Sequence, residues 1–183
     1  SPNCRNQLTL IDGHALAFYC WFSSYPQAVI PGFIRELAET VEKHNPSHLI
    51  VAFDPPPPTF RHELYPEYKA NRPPVPKDFL KECDQVFLEL DSLGVSSCVV
   101  NGFEADDVLG TVSNKATESG FNVVIVTCDL DLLQLLTPKV TVEVFSQYWP
   151  TRTFNMESAK YRFHGIEPHQ IADFKALAGD RSD

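Results

Sequence analysis

The stretch NVVIVTCDLD, residues 122–131, begins as a run of β-branched side chains and ends with two aspartates. β-Branched residues favour extended backbone, so Asn122–Val126 is predicted to be a buried strand. Asp129 and Asp131 follow this strand and place two carboxylates beyond its end. These aspartates either cap a short helix predicted over Leu132–Leu136 or hold a ligand there.

On both sides of this stretch, short apolar segments alternate with longer helical patterns. The alternation predicts a single α/β domain over residues 1–183, with a mostly parallel, Rossmann-like central sheet and helices on both of its faces. In such a sheet, ligands bind beyond the carboxyl ends of the strands. The other predicted strands are Leu8–Ile11, His48–Phe53, Ser97–Val100 and Val140–Phe145. The other predicted helices are Ala15–Phe22, Gly32–His44, Asp78–Leu93, Glu104–Glu118, Met156–Phe163 and Pro168–Ala178.

Composition limits the classes of protein to which the chain can belong. Hydrophobic residues make up 43% of the 183 residues, which is typical of a globular protein. No apolar run approaches the roughly 20 residues that span a bilayer, so no membrane partner is expected. The five cysteines are odd in number and form no C-x-x-C pair, which argues against a zinc site and a disulfide framework. We therefore expect an intracellular, reducing compartment: cytoplasm or nucleoid in a bacterium, an organelle or the nucleus in a eukaryote.

Nine acidic residues each follow an apolar segment or begin a helical pattern. Carboxylates that converge on one edge of a sheet repel one another, and divalent cations relieve this repulsion. The nine carboxylates equal in number the net charge of −9. They predict a site for two divalent ions, with Mg²⁺ the best match and Mn²⁺ a substitute. The nine residues are Asp12, Asp54, Glu104, Asp106, Asp107, Asp129, Asp131, Asp180 and Asp183.

Each acidic motif also has a purely structural interpretation. Asp12 and Asp54 end predicted strands, where a lone aspartate is commonly a turn residue. Glu104 and Asp107 lie three residues apart at the start of a helix, where acidic side chains favour the positive end of the helix dipole. The shared position of the motifs, at the same ends of several strands, favours the metal site.

A basic and aromatic segment, FRHELYPEYKANR at residues 60–72, follows the second predicted strand. Lys69 and Arg72 lie three residues apart and can hold a scissile phosphate from one face if the segment is helical. Tyr65 and Tyr68 can stack on unpaired bases. The alternative is a solvated loop with incidental charge. The weaker candidates, more often structural hydrogen-bonding groups, are the lone histidines His14 and His62.

Seven motifs occur in order along the chain: IDGH (11–14), FD (53–54), TFRHE (59–63), YKANR (68–72), EADDV (104–108), TCDLD (127–131) and GDRSD (179–183). In this order they resemble the 5′-nuclease domain of bacterial-type DNA polymerase I, within the flap endonuclease superfamily. The resemblance covers nearly the whole chain and implies a PIN-like fold with a basic helical arch over about residues 59–76. It also implies two-metal hydrolysis of DNA or of RNA primers at 5′ flaps or 5′ ends, in DNA replication and repair.

By matching position, the resemblance implies that the nine carboxylates form the metal site. Lys69 and Arg72 match the basic, catalytic pair at the base of the arch, and Arg61, Tyr65 and Tyr68 are expected to face the DNA with them. The implied partners are flapped, nicked or 5′-ended duplex DNA, an RNA primer, and a DNA polymerase to which the domain is fused or with which it works. The domain is expected to be a monomer that ends before the helix-hairpin-helix region of the family.

Other assignments stay open on the residues alone. A PIN-type ribonuclease shares the acidic site but usually lacks the Tyr-Lys-x-x-Arg segment. A non-catalytic nucleic-acid-binding module is disfavoured, because nine carboxylates without metal would repel one another. A phosphatase of the Asp-x-Asp class is also disfavoured, because its motif follows the first strand of the sheet.

Overall fold

The computed structural model describes residues 6–56 and 59–162, together with Glu167 and Gln170. Strands and helices alternate through this part of the chain. The strands are β1 (Gln7–Asp12), β2 (His48–Phe53), β3 (Ser96–Val99), β4 (Asn122–Thr127), β5 (Val140–Val144) and β6 (Arg152–Phe154). The helices are α1 (Gly13–Ser23), α2 (Ile30–His44), α3 (Phe60–Leu64), α4 (Lys77–Ser92), α5 (Ala105–Glu118) and α6 (Met156–Arg162), with a 3₁₀ helix over Leu130–Leu135.

The strands form one sheet in the order β3-β2-β1-β4-β5-β6. Strands β1 to β5 are parallel, and β6 pairs antiparallel with β5. The chain order reverses between β1 and β4, so the ends of these two strands flank the crevice in which α/β sheets bind ligands. The predicted mostly parallel sheet is confirmed.

Successive residues of the strands point to opposite faces of the sheet, and helices cover both faces. On one face Ile11 belongs to a buried cluster with Leu16 of α1 and Phe33 of α2. On the other face Leu10 belongs to a cluster with Leu109 of α5. Because both faces are covered, the strand ends are where polar side chains of the sheet gather.

Gly13 makes the tight connection between β1 and α1. A Cβ atom at this position would lie 2.7 Å from the ring of Phe53, which is closer than such atoms approach one another. The absence of a side chain at residue 13 therefore lets the end of β1 lie directly beside the end of β2.

Some regions differ from the predicted elements or lie beyond them. β6 is absent from the predicted strands, because its three residues include two polar ones and carry little periodic signal. Between residues 59 and 76 only α3 is α-helical, and Lys69 has a φ of 56°, which a continuous right-handed helix does not allow. The helix predicted over Pro168–Ala178 lies outside the described residues. In the part of the chain that the structure describes, every helix is too short or too polar to cross a membrane.

Candidate metal centre

Asp12 is the last residue of β1 and the N-cap of α1. Its Oδ1 accepts a hydrogen bond from the Ala15 N–H at 3.2 Å, and its Oδ2 accepts one from Thr127 Oγ1 at 2.9 Å. Burial raises the pKa of Asp12 to about 7, with smaller contributions from the charges of Asp54 and Asp129. The fold thus buries this carboxylate near other acidic groups, an arrangement whose cost a bound cation relieves.

Asp54 follows β2 and joins the sheet to α5. Its Oδ1 accepts a hydrogen bond of 2.6 Å from the N–H of Ala105, the first residue of α5. Its own N–H donates to Nδ1 of His14 at 2.8 Å. Nδ1 is therefore an acceptor, and burial lowers the pKa of His14, which favours the neutral ring. His14 holds the end of β2 in place as a structural hydrogen-bonding group.

Asp106 lies in the first turn of α5 and has acidic neighbours. Burial raises its pKa to about 8, and the charges of Asp12, Asp129, Asp54 and Glu104 add to the effect in that order. Side chains from two strand ends, a loop and a helix therefore repel one another at one edge of the sheet. We call Asp12, Asp54, Asp106 and Asp129 the acidic edge.

Asp129 and Asp131 follow β4, as the sequence indicated. Asp129 is the N-cap of the 3₁₀ helix, and its Oδ1 accepts a hydrogen bond from the Asp131 N–H at 2.8 Å. The capping interpretation therefore holds for Asp129, which nevertheless lies close enough to Asp12 and Asp106 to raise the pKa of both. Asp129 therefore caps the 3₁₀ helix and also belongs to the acidic edge.

Glu104 and Asp107 form a capping box at the start of α5. The Asp107 carboxylate accepts a hydrogen bond of 3.2 Å from the Glu104 N–H. Asp107 is also paired with Arg61 through two bonds of 2.7 and 2.9 Å, and Nη1 of Arg61 lies 3.4 Å from Glu104 Oε2. Both acidic residues predicted as metal ligands here have a basic side chain as partner.

The basic segment packs its side chains against Glu104. Lys69 Nζ lies 2.8 Å from Glu104 Oε1, and the Tyr68 hydroxyl donates to Glu104 Oε2 at 3.3 Å. Burial opposes the charge on Lys69, but the hydrogen bond and the charge of Glu104 raise its pKa above the ordinary value. The lysine is therefore held as a cation beside the acidic edge.

Tyr65 and Arg72 of the same segment are exposed. Arg72 lines a cleft of about 730 Å³ together with Lys69, Asp54 and Glu104. The residues predicted to face DNA thus fall into two groups. Tyr65 and Arg72 have the more exposed side chains, whereas Arg61, Tyr68 and Lys69 are half-buried and contact the carboxylates of Glu104 and Asp107.

The donor set of the acidic edge fits a hard divalent cation, because every donor is a carboxylate oxygen. Within residues 6–56 and 59–162, however, no three His, Cys, Asp or Glu side chains are arranged to hold a metal ion. Two of the nine predicted ligands, Asp180 and Asp183, lie outside the described residues. The observation in favour of a metal is therefore electrostatic: the carboxylates of the acidic edge, of which Asp12 is buried, lie close enough to repel one another.

Thr127 is a site residue that sequence analysis missed. Its Oγ1 donates to Asp12 Oδ2 at 2.9 Å and accepts from the Asp129 N–H at 3.1 Å, so it links the ends of β1 and β4. Its position directly before Cys128-Asp129 was the available signal. A threonine in a strand is also an ordinary β-former, so its residue type alone does not single it out.

The chain matches a known protein family over most of its length. Residues 7–164 match the model of the 5′-3′ exonuclease family, N-terminal resolvase-like domain. The chain belongs to this family, which confirms the resemblance carried by its motifs and, at the level of the family, the prediction of a nuclease.

The chain is also similar to curated bacterial proteins. It is 36% identical over 187 residues to the thermostable DNA polymerase I of Thermus thermophilus, and 38% identical over 184 residues to that of Thermus filiformis. The alignments cover 98% and 97% of this chain but only 22% and 21% of the two polymerases. The chain thus spans about a fifth of the length of these relatives.

Solved nuclease structures share the fold. The 5′-exonuclease of bacteriophage T5 with bound zinc aligns with a TM-score of 0.78 and 22% identity, over 93% of this chain and 65% of that one. The catalytic core of Rad2 in complex with a DNA substrate aligns with a TM-score of 0.62 and 16% identity, over 96% of this chain and 54% of that one. These likenesses confirm the predicted PIN-like α/β fold.

Proposed function

We propose that this domain hydrolyses phosphodiester bonds of DNA at 5′ flaps or 5′ ends by two-metal-ion catalysis, in DNA replication and repair. The acidic edge is the observation that supports this most, because the buried Asp12 and the half-buried Asp106 lie near like charges and have raised pKa values. Titratable groups perturbed in this way cluster at functional sites. The names of the relatives and the DNA-bound Rad2 core favour DNA as the substrate.

The residues that would hold the metal ions are the acidic edge itself, with Glu104, Asp107 and Asp131 beside it and Asp180 and Asp183 from the last motif. Mg²⁺ is the proposed ion, since it binds through a few carboxylates and retains water, and Mn²⁺ is the proposed substitute. T5 nuclease structures contain zinc or other metal ions, which supports the use of divalent cations. Two such ions, when bound, lower the pKa of a water molecule and neutralise charge on the reacting phosphate.

Lys69 and Arg72 are the proposed catalytic cations that hold the scissile phosphate. Lys69 Nζ lies beside the acidic edge through its 2.8 Å contact with Glu104, and Arg72 lines the same cleft. A phosphate in that cleft meets cations of the basic segment on one side and carboxylates on the other. Such cations stabilise the charge that develops in the transition state. Tyr65, exposed on the same segment, is proposed to stack on an unpaired base.

The proposal extends to an RNA primer as a second substrate and to a DNA polymerase as a partner, fused or separate. The matched region is about a fifth of proteins named DNA polymerase I, which supports the polymerase. The domain itself is proposed to act as a monomer, and sedimentation at micromolar concentration checks this.

Three labelled nucleic acids test the proposed function: a 5′-flap duplex, a single strand and an RNA hairpin, each with Mg²⁺ and with a chelator. Metal-dependent cutting of the flap is the expected result. Cutting of the hairpin alone would instead identify a PIN-type ribonuclease. Tight binding without cutting would identify a non-catalytic module.

A further inference from the structure

Arg61 occupies a different environment from the one that its sequence position indicated. We propose that Arg61 is a positioning residue, which fixes the first turn of α5 through Asp107 and thereby sets the carboxylates that bind metal. It does not grip the DNA backbone. This inference rests on the proposed function and assigns to Arg61 a part in the same site.

The contact between Arg61 and Asp107 is a bidentate ion pair. Nη1 lies 2.7 Å from Oδ2 and Nη2 lies 2.9 Å from Oδ1, so the guanidinium donates two parallel hydrogen bonds to one carboxylate. The guanidinium also stacks on a neighbouring aromatic side chain, since its carbon lies 4.6 Å from the centre of the Phe60 ring. Bidentate pairs of this kind are among the strongest hydrogen-bonded contacts of a protein and fix direction as well as distance.

Asp107 transmits this geometry to the start of α5. Its Oδ2, which accepts from Arg61, also accepts from the Glu104 N–H at 3.2 Å and so closes the capping box. The turn held in this way carries Glu104 and Asp106, one at each side of Ala105. The N–H of Ala105 in turn donates to Asp54. A shift of Asp107 would therefore change the positions of the Glu104, Asp106 and Asp54 carboxylates relative to β1 and β4.

The same geometry argues against a direct role in gripping DNA. Both terminal nitrogens of Arg61 are engaged with Asp107, and Nη1 also lies 3.4 Å from Glu104. A phosphate would have to displace a carboxylate that itself caps a helix. Lys69 differs, because its ammonium makes one 2.8 Å contact with a Glu104 oxygen and lies 5.1 Å from the centre of the Tyr68 ring, so a phosphate can replace the Glu104 contact at smaller cost.

Arg61→Lys tests the inference, because lysine keeps the positive charge but cannot make two parallel bonds to one carboxylate. The matched control is Arg35→Lys, in which the same change is made at an arginine of α2 that pairs with Glu36. Circular dichroism verifies that both variants fold. Three quantities are then compared with the wild type: Mn²⁺ affinity by calorimetry without DNA, affinity for the 5′-flap duplex in chelator, and single-turnover cleavage.

We expect Arg61→Lys to lower both the Mn²⁺ affinity and the cleavage rate by about 10-fold or more, as loss of a partner to a metal ligand does. Its affinity for the flap in chelator should stay at the wild-type value, and Arg35→Lys should match the wild type throughout. Asp107→Glu provides a second variant from the other side of the pair. It keeps the charge but moves the carboxylate by one methylene, and the same pattern is expected.

Two results would overturn the inference while leaving the proposed function intact. One is weaker flap binding by Arg61→Lys with normal Mn²⁺ affinity, which would make Arg61 a DNA contact. The other is wild-type behaviour of Arg61→Lys in all three measurements. A wild-type protein that takes up no Mn²⁺ and cuts no flap would instead overturn the proposed function, and this inference with it.

Discussion

Glu143 of β5 and Asp12 of β1 are two carboxylates on the same sheet with almost equal burial, 5% and 6% exposed. Glu143 has compensating partners around it: the ammonium Nζ of Lys43 lies 2.7 Å and the ring Nε2 of His44 lies 2.8 Å from its Oε2. Thr153 of β6 donates to the same oxygen at 3.3 Å. This network ties the end of α2 to the β5–β6 hairpin.

Asp12 is buried just as deeply without such compensation. Its hydrogen bonds come from the neutral donors Thr127 and Ala15, and the charged groups that act on it are Asp54 and Asp129. The comparison shows that burial of a carboxylate does not by itself mark a functional site. Burial among like charges is the stronger sign of such a site, because that charge is relieved by a proton or by a cation that binds there.

The largest effect is expected from Asp129→Ala. Loss of this carboxylate removes a proposed ligand of the acidic edge, so cleavage should fall by about three orders of magnitude or more while the fold remains. Rates on the 5′-flap duplex and circular dichroism check both parts. Retained activity would refute the role of Asp129 as a ligand.

Lys69→Ala should lower turnover more than it lowers binding. If the ammonium acts on charge that develops during the reaction, its loss costs about 100-fold in kcat. Single-turnover rates and flap binding in chelator separate the two quantities. Weaker flap binding with an unchanged single-turnover rate at saturation would show that Lys69 contributes only uniform binding.

Glu143→Gln sharpens the comparison from the structural side. The charge-assisted contacts with Lys43 and His44 would be weakened, so the free energy of unfolding should fall by about 1–3 kcal/mol. Cleavage should be unchanged, since this network lies apart from the acidic edge. Denaturant unfolding measures the loss, and a drop in cleavage by the folded variant would contradict the structural role.

Asp106→Asn should produce a smaller change in the free energy of unfolding, and of the opposite sign. The pKa of Asp106 is raised to about 8 from 3.8, so its charge destabilises the metal-free fold increasingly as pH rises from about 4 to 8. The neutral amide removes this cost and should stabilise the protein in chelator by about 1 kcal/mol, after the cost of burying the amide. Above pH 8 this gain in stability should be at its maximum and should no longer change with pH.

Thermal unfolding of Asp106→Asn and wild type, with chelator and with Mn²⁺ across this pH range, checks the prediction. Mn²⁺ should raise the unfolding temperature of the wild type and have less effect on the variant. A variant that is less stable than the wild type in chelator at every pH would show that the Asp106 charge carries no cost in the fold.

Elements built from continuous apolar patterns were predictable from the sequence. The strand predicted over His48–Phe53 has these bounds in the structure, and the strand predicted over Asn122–Val126 extends by one residue to Thr127. Both are central enough to be buried on two faces, which selects an uninterrupted apolar run. The placement of acidic residues after such runs was enough to bring Asp12, Asp54 and Asp129 to one edge.

Contacts between distant side chains were not predictable in this way. Arg61 and Asp107 lie 46 positions apart, so their spacing gives no signal of a pair. The start of α3 was also hidden, because its capping box joins Thr59 to His62 and not to the usual glutamate or glutamine. The local sequence pattern indicates which face of a helix or strand is buried. Which side chains pair with one another depends on how the helices and strands pack together.

Gly13 restricts any redesign of this scaffold. A methyl group at this position would have to displace the Phe53 ring, 2.7 Å away, and Phe53 is followed directly by Asp54. Saturation mutagenesis of the β1–α1 junction should therefore return glycine alone at residue 13, although its atoms take no part in chemistry. A random library screened only for activity would count such variants as losses of a catalytic group. The actual cause would be displacement of the Phe53 ring by the new side chain.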